Sequence, residues 1–208
     1  MLFRSKASES NKITTAVIDK AQILEAVKFA RDEMKFELLS DIACVDNLNL
    51  NKSKRFSLYY IFSSLKGSNF IIQVDLDESE SIASVSQIYK SAHWAERECY
   101  DQYGVKFANH PNLRRILNHK DFIGHPLRKD YPIDKYQILT QSDSLVDEMR
   151  DQLLSLGLAS EENDEFKIKY TFLNIGPSHP ATHGTIRNFM ALDGEKIAAC
   201  VTEMGYLH

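Results

Sequence analysis

From residue 13 onward the apolar and polar positions fall into recognisable periods. Residues 13–18 are rich in β-branched side chains and predict a short strand, after a polar stretch over residues 1–12. Asp19 opens a helix in which Ile23, Leu24, Val27, Ala30 and Met34 recur at helical spacing, giving an amphipathic face to lie on a sheet. Residues 36–45, 55–62 and 70–76 predict three strands, the last two joined through Lys66-Gly67-Ser68, where glycine supplies the backbone angles of a turn. One helix followed by a strand meander is an α+β pattern: a mixed sheet with flanking helices.

Ser84, followed three residues later by Gln87, has the form of a capping box and predicts a helix from Val85 to Tyr103, ended by Gly104. Ala92, Ala95, Cys99 and Tyr103 form its apolar stripe. Arg97 and Asp101, four apart, are placed to pair on a solvated face. Over residues 108–132 the periodicity disappears, Pro111, Pro126 and Pro132 interrupt the chain, and five Lys/Arg face two Asp. A stretch this long without elements of its own reads as an arm packed along another subunit. Residues 142–157 predict a helix with Leu145, Met149, Leu153 and Leu156 on one side and Gly157 as terminator. Residues 143–165 carry eight Asp/Glu and one Arg, so 136–169 reads as a helical and acidic linker, solvated between two units. Residues 170–175 predict a strand, and Asp193-Gly194 joins residues 185–192 to 195–201 as a hairpin. A lone hairpin is marginal in water, so residues 170–208 read as an incomplete terminal β-hairpin segment, the start of a domain that stops part-way.

At 208 residues the chain is long enough for one sound core of residues 1–135, including the arm, plus an appendage. A formal net charge of -4 argues against a nucleic-acid binder driven by overall charge. Cys44, Cys99 and Cys200 are odd in number and far apart, which fits neither a disulfide framework nor a metal-ligand spacing; all three are expected as buried, reduced thiols. No run approaches the ~20 apolar residues that cross a bilayer, and the start lacks a signal-peptide core, so a cytoplasmic location is expected.

Candidate chemistry converges on Gly176-Pro177-Ser178-His179-Pro180-Ala181-Thr182-His183-Gly184. Histidine exchanges protons near neutrality, Gly176 and Gly184 let backbone approach a flat ligand, and Pro177 and Pro180 limit the loop. Three readings stand on the residues alone: a structural loop, a small-molecule site, and a metal site. Pro180 opposes the helix that a two-histidine metal face needs, and no third ligand stands nearby. Phosphate-binding glycine loops and nucleophile elbows are absent.

Longer motifs go further. Glu96-Arg97-Glu98-Cys99-Tyr100-Asp101-Gln102-Tyr103-Gly104-Val105-Lys106-Phe107, His110-Pro111, Leu113-Arg114-Arg115-Ile116-Leu117 and Asp121-Phe122-Ile123-Gly124-His125-Pro126-Leu127-Arg128-Lys129-Asp130-Tyr131-Pro132 closely resemble the signature of the C-type subunit of respiratory complex I. The loop at 176–184, with Leu192-Asp193-Gly194-Glu195 and Gly205-Tyr206-Leu207-His208, resembles the beginning of the D-type subunit, in the order known from C/D fusion proteins. The first resemblance covers about residues 1–135 and the second runs from about Tyr170 to the end. Thr202-Glu203 stands where that family usually carries a proline, which leaves the exit from the second hairpin strand open.

The resemblance implies a peripheral-arm component of a proton-translocating NADH:quinone oxidoreductase, part scaffold and part quinone headgroup pocket, on the cytoplasmic side of the bacterial inner membrane. By carry-over His183 hydrogen-bonds a quinone carbonyl and helps protonate it, with His179, Gly176 and Gly184 shaping the cavity. Arg114, Arg115, His125, Arg128 and Lys129 are the implied subunit-interface residues. No cofactor is implied for this chain itself: iron-sulfur clusters, FMN and NADH belong to other subunits. The implied partners are a cluster-bearing B-type subunit, an I-type subunit and the remainder of the D-type subunit. The chain by itself is expected to be inactive. A membrane-bound hydrogenase-type complex and a purely structural assembly module are the rival readings.

Overall fold

A computed structural model describes residues 7–10, 13–50, 52–135, 137, 144–162, 165–167, 169–178, 180 and 185–204. The chain divides into two units, Met1–Ile116 with Ile123–Lys135, and Leu117–Phe122 with Tyr136–His208.

The first unit is α+β. Its sheet has the order β1-β2-β5-β4-β3, from β1 (Ala7–Ser10), β2 (Ile13–Ile18), β3 (Leu38–Asp46), β4 (Phe56–Ser63) and β5 (Asn69–Leu76). Only the β2–β5 pair is parallel; the other pairings are antiparallel. Alternation buries Phe56, Leu58, Tyr60 and Phe62 on β4, with Ser57 covered on the other face, and Phe70, Ile72, Val74 and Leu76 on β5. Asp19 accepts the amide of Ala21 and caps a 3-10 turn, Lys20–Gln22, that leads into α1 (Ile23–Asp32). The buried stripe of α1 is Ile23, Ala26, Val27 and Ala30. Leu24 and Met34, assigned to that stripe from spacing, are exposed: Leu24 lies one position off the face, and Met34 lies beyond the last helical turn.

The next helix, α2 (Ala92–Tyr103), begins seven residues later than the capping-box reading placed it. Ser84 does not open the long helix: its hydroxyl accepts the amide of Ser86 at 3.2 Å and donates to Glu96 at 2.6 Å, and the amide of Val85 donates to the other Glu96 oxygen at 2.7 Å. The amides of Val85 and Ser86 are held by these side chains, and the chain turns through residues 85–91 before α2 begins. Short strands β6 (Ser81–Ala83) and β7 (Lys106–Ala108) pair in parallel across α2. Gly104 ends the helix with φ +79, as its position in the sequence predicts. From residue 109 to 135 no helix or strand forms.

In the second unit β10 (Thr171–Ile175), β11 (Ile186–Asp193) and β12 (Lys196–Met204) make an antiparallel sheet, and β8 (Ser160–Glu162) pairs with β9 (Glu165–Lys167). The helix α3 (Ser144–Ser155) buries Met149 and Leu153 with Ala191 and Ala199, against Tyr170, Phe172, Phe189 and Val201. Residues 143–165 are therefore not a solvated linker throughout. Their apolar stripe covers a sheet, while Asp147, Glu148 and Asp151 face out on the same helix. Leu156, past the helix end, is exposed. The predicted terminal hairpin gains a third strand and a small core, and β12 runs through Thr202-Glu203 to Met204 without a break.

Cys44 and Cys99 are buried, and burial raises both thiol pKa values; Cys200 is exposed, correcting its assignment, because it sits on the uncovered face of β12.

Candidate functional site

The described chemistry gathers in two places, one in each unit. In the first, the face of α2 expected to meet solvent is buried. Glu96, Arg97, Asp101 and Gln102 are all covered, and what covers Arg97, Asp101 and Gln102 is the arm. Arg115 donates to the Asp101 carboxylate at 2.7 Å and the amide of Ile116 donates to its second oxygen at 2.9 Å. Arg97 donates to the carbonyls of Arg114 and Arg115 at 3.0 and 2.8 Å. So Arg97 and Asp101 each hold the arm.

The carbonyls past the last ladder bond of a helix lack intrahelical partners, and here the chain supplies those of Asp101, Gln102 and Tyr103. Gly104 donates to Tyr100, His125 Nδ1 sits 3.0 Å from the carbonyl of Asp101, Leu127 donates to Gln102, and Arg128 Nε donates to Tyr103 at 2.6 Å. A carbonyl only accepts, so His125 carries its proton on Nδ1. Gly104 is required: a Cβ there would come within 2.6 Å of both His125 Nε2 and Arg128 Nη2. Farther along, Arg55 binds Asp46, Glu78 and Asp130, Arg128 shares Glu78, and both guanidinium groups lie over the Phe56 ring at 5.3 and 5.4 Å. The amide of Lys129 donates to Asp46.

Outside residues 117–122, the arm is thus fastened to the first unit. Loss of periodicity signalled missing elements correctly but not the surface that satisfies the backbone. Of the five arm residues assigned to contact with neighbouring chains, Arg115, His125 and Arg128 turn their polar heads inward, while Arg114 and Lys129 are exposed.

The second place is the turn between β10 and β11. Gly176 has φ +103, and a Cβ there would lie 2.1 Å from the carbonyl oxygen of Ile186. Of the four positions assigned to quinone contact, Gly176 is described; His179, His183 and Gly184 lie outside the described residues. At the loop end of the sheet the structure adds a polar layer that the sequence reading missed. Arg187 donates to Asn174 at 3.0 Å, its Nη1 lies 3.9 Å from Glu203, and Glu203 meets His119 Nε2 at 2.5 Å. The available signal was parity: Arg187 and Glu203 occupy the same inward alternation as Phe189 and Val201. Among the described residues no group of three or more His, Cys, Asp or Glu is placed to hold a metal, and no helix is long and apolar enough to cross a membrane.

The sequence profile described as "Respiratory-chain NADH dehydrogenase, 30 Kd subunit" matches residues 16–137. The chain belongs to that family. The profile match ends before α3, and relatives named as the C/D subunit of NADH-quinone oxidoreductase extend the similarity across the second unit: one from Bdellovibrio bacteriovorus is 40% identical over 96% of this chain, and one from Buchnera aphidicola subsp. Cinara cedri is 35% identical over 92%. This member of the respiratory-chain family spans 35% of the length of each of those relatives. Its fold is also that of a chain in the membrane-bound sulfane sulfur reductase, an archaeal respiratory membrane complex, with a TM-score of 0.53 at 18% identity, covering 78% of this chain and 91% of that one.

Inside the region that carries the family match, Glu96 has an unusual setting. It is fully buried, and burial pushes its carboxyl up to about 7 against the opposing effect of its bonds from Ser84 and Val85. The nearest imidazole, His110, lies 3.9 Å away and offers no positive charge: its Nδ1 accepts the amide of Asn112 and its Nε2 faces the carbonyl of His93, and burial lowers its pKa. A carboxyl whose folded pKa is raised binds more protons folded than unfolded between about 4.5 and 7, so stability declines as pH rises through that window. Relative to Glu96→Gln, the wild type is expected to lose about 3 kcal/mol between pH 4.5 and 8. Urea midpoints of both proteins across that range check it; parallel pH profiles would refute it.

Proposed function

We propose that this chain serves in the peripheral arm of a proton-translocating NADH:quinone oxidoreductase, with residues 1–135 as scaffold and the 176–184 loop as part of the quinone headgroup pocket. The observation that carries the proposal is similarity to C/D proteins over 96% of the chain, including the loop at 40% overall identity. In this reading residues 170–208 begin a D-type domain, and the redox cofactors sit on other subunits. The exposed side of the arm, including Arg114, Lys129, Ile123 and Ile133, faces a cluster-bearing B-type neighbour, an I-type subunit or the rest of the D-type domain. The assembly sits on the cytoplasmic side of the membrane.

Gly176 gives the turn a conformation that L-residues avoid, and the strands on either side hold its ends. In this reading the loop that follows brings a proton donor to a ring carbonyl. His183 is the proposed donor and His179 its neighbour in shaping the cavity. Proton transfer by a positioned side chain is worth about a hundredfold or more in rate. Accordingly His183→Ala, in the complete complex, should lower quinone reduction by about a hundredfold per assembled complex. Undiminished turnover with normal assembly would reject the role.

A further inference from the structure

We infer that His119 and Glu203 are positioning residues for the quinone-facing turn, acting through Arg187 and Asn174. The inference rests on the quinone reading of that turn.

The geometry starts at the turn itself. The β10–β11 ladder ends at the Ile175–Asn188 pair, so the backbone supplies no further paired rung towards the turn. Asn174, two residues before Gly176, and Arg187, two after Thr185, close that opening with a side-chain hydrogen bond at 3.0 Å. Glu203 stands directly across from Arg187 in the β11–β12 register and holds its guanidinium from the other side. His119 then fixes Glu203: its Nδ1 accepts the amide of Asp121 at 3.3 Å, which leaves the proton on Nε2, the nitrogen 2.5 Å from the carboxylate. The four side chains form one line across all three strands.

This line lies where apolar packing would hold the sheet equally well. Phe172, Phe189 and Val201 fill the same face one step away. The side chains of His119 and Glu203 are only 5% and 10% exposed, and that of Arg187 is 22% exposed. Buried hydrogen-bonded polar groups of this kind add little net stability but fix one geometry among several, because each member loses its partner if another moves. Lys120, paired with Glu148 at 2.8 Å, and Asp121, whose carboxylate lies 3.7 Å from His119 Nδ1, complete the charged surroundings. Segment Leu117–Phe122 therefore sets the orientation of Glu203, and Glu203 sets that of Arg187 at the root of the turn.

The test uses the complete complex with a short-tailed benzoquinone as acceptor. Glu203→Gln and His119→Ala should raise the quinone KM by roughly three- to tenfold, the coupling that a packed side-chain chain transmits, with a smaller change in kcat. Amide exchange at Ile175 and Asn188, the last pair of that ladder, should quicken in both. His119→Gln, which keeps a donor towards Glu203, should restore exchange and KM towards wild type, as should the exchanged pair His119→Glu with Glu203→His. Unchanged KM and exchange in Glu203→Gln would overturn the inference, whatever His183→Ala shows. Faster exchange combined with a silent His183→Ala would overturn the quinone reading while supporting the mechanical link.

Discussion

Asp101→Ala is expected to destabilise the first unit by about 3 to 5 kcal/mol and to release the arm. Asp101 is fully buried, and its carboxylate is the shared acceptor for the Arg115 guanidinium and the amide of Ile116. Removing one partner of a buried pair leaves the other charge without compensation, which is far more costly than replacing both by apolar groups. Arg115 also donates to the carbonyl of Gly124, so losing its anchor loosens the arm at two points. Two measurements check this: the urea midpoint, and limited proteolysis, which should cut between residues 112 and 130 in the variant before the sheet is touched. Asp101→Asn keeps one acceptor oxygen and should fall between wild type and alanine. A wild-type midpoint for Asp101→Ala would show that the other fastenings, from Arg97, Arg128 and Arg55, hold the arm without Asp101.

Gly176→Ala should be comparably damaging in the second unit. A left-handed backbone costs an L-residue about 1–2 kcal/mol, and here the new Cβ would also lie 2.1 Å from a backbone oxygen, which cannot swing away as a side chain can. Either β10 or β11 has to shift. Exchange at Asn174, Ile175 and Asn188 should quicken, while the amides of α1 in the other unit keep wild-type protection. If the turn meets quinone as proposed, displacement by an ångström or so should lower turnover by about a hundredfold in the complete complex. Wild-type exchange in this variant would mean that the strands part at no cost, contrary to the tight crossing.

The architecture of the first unit was legible because its elements carry their own signals. The alternation of β4 and β5 and the turn at Gly67 place the meander within a residue or two. Gly104, Gly157 and Asp193-Gly194 mark helix ends and a hairpin turn that the structure contains. The start of α2 was misread because a capping box is a local pattern, whereas the competing partner of Ser84, Glu96, is twelve residues away. The charges of α2 were read as solvated for the same reason: periodicity tells which residues share a face, not what comes to cover it.

The α+β class, most of the strands and helices of each unit, and membership of the respiratory-chain family all follow from periods and motifs contained within short stretches of chain. The folded molecule was needed to learn that the arm turns back onto α2, that α3 covers the last three strands, and that His119 meets Glu203 across 84 residues. Those outcomes depend on which buried donor finds which acceptor once the chain closes. Burial makes an unpaired polar group costly and so selects the pairing, but it exists only in the folded chain.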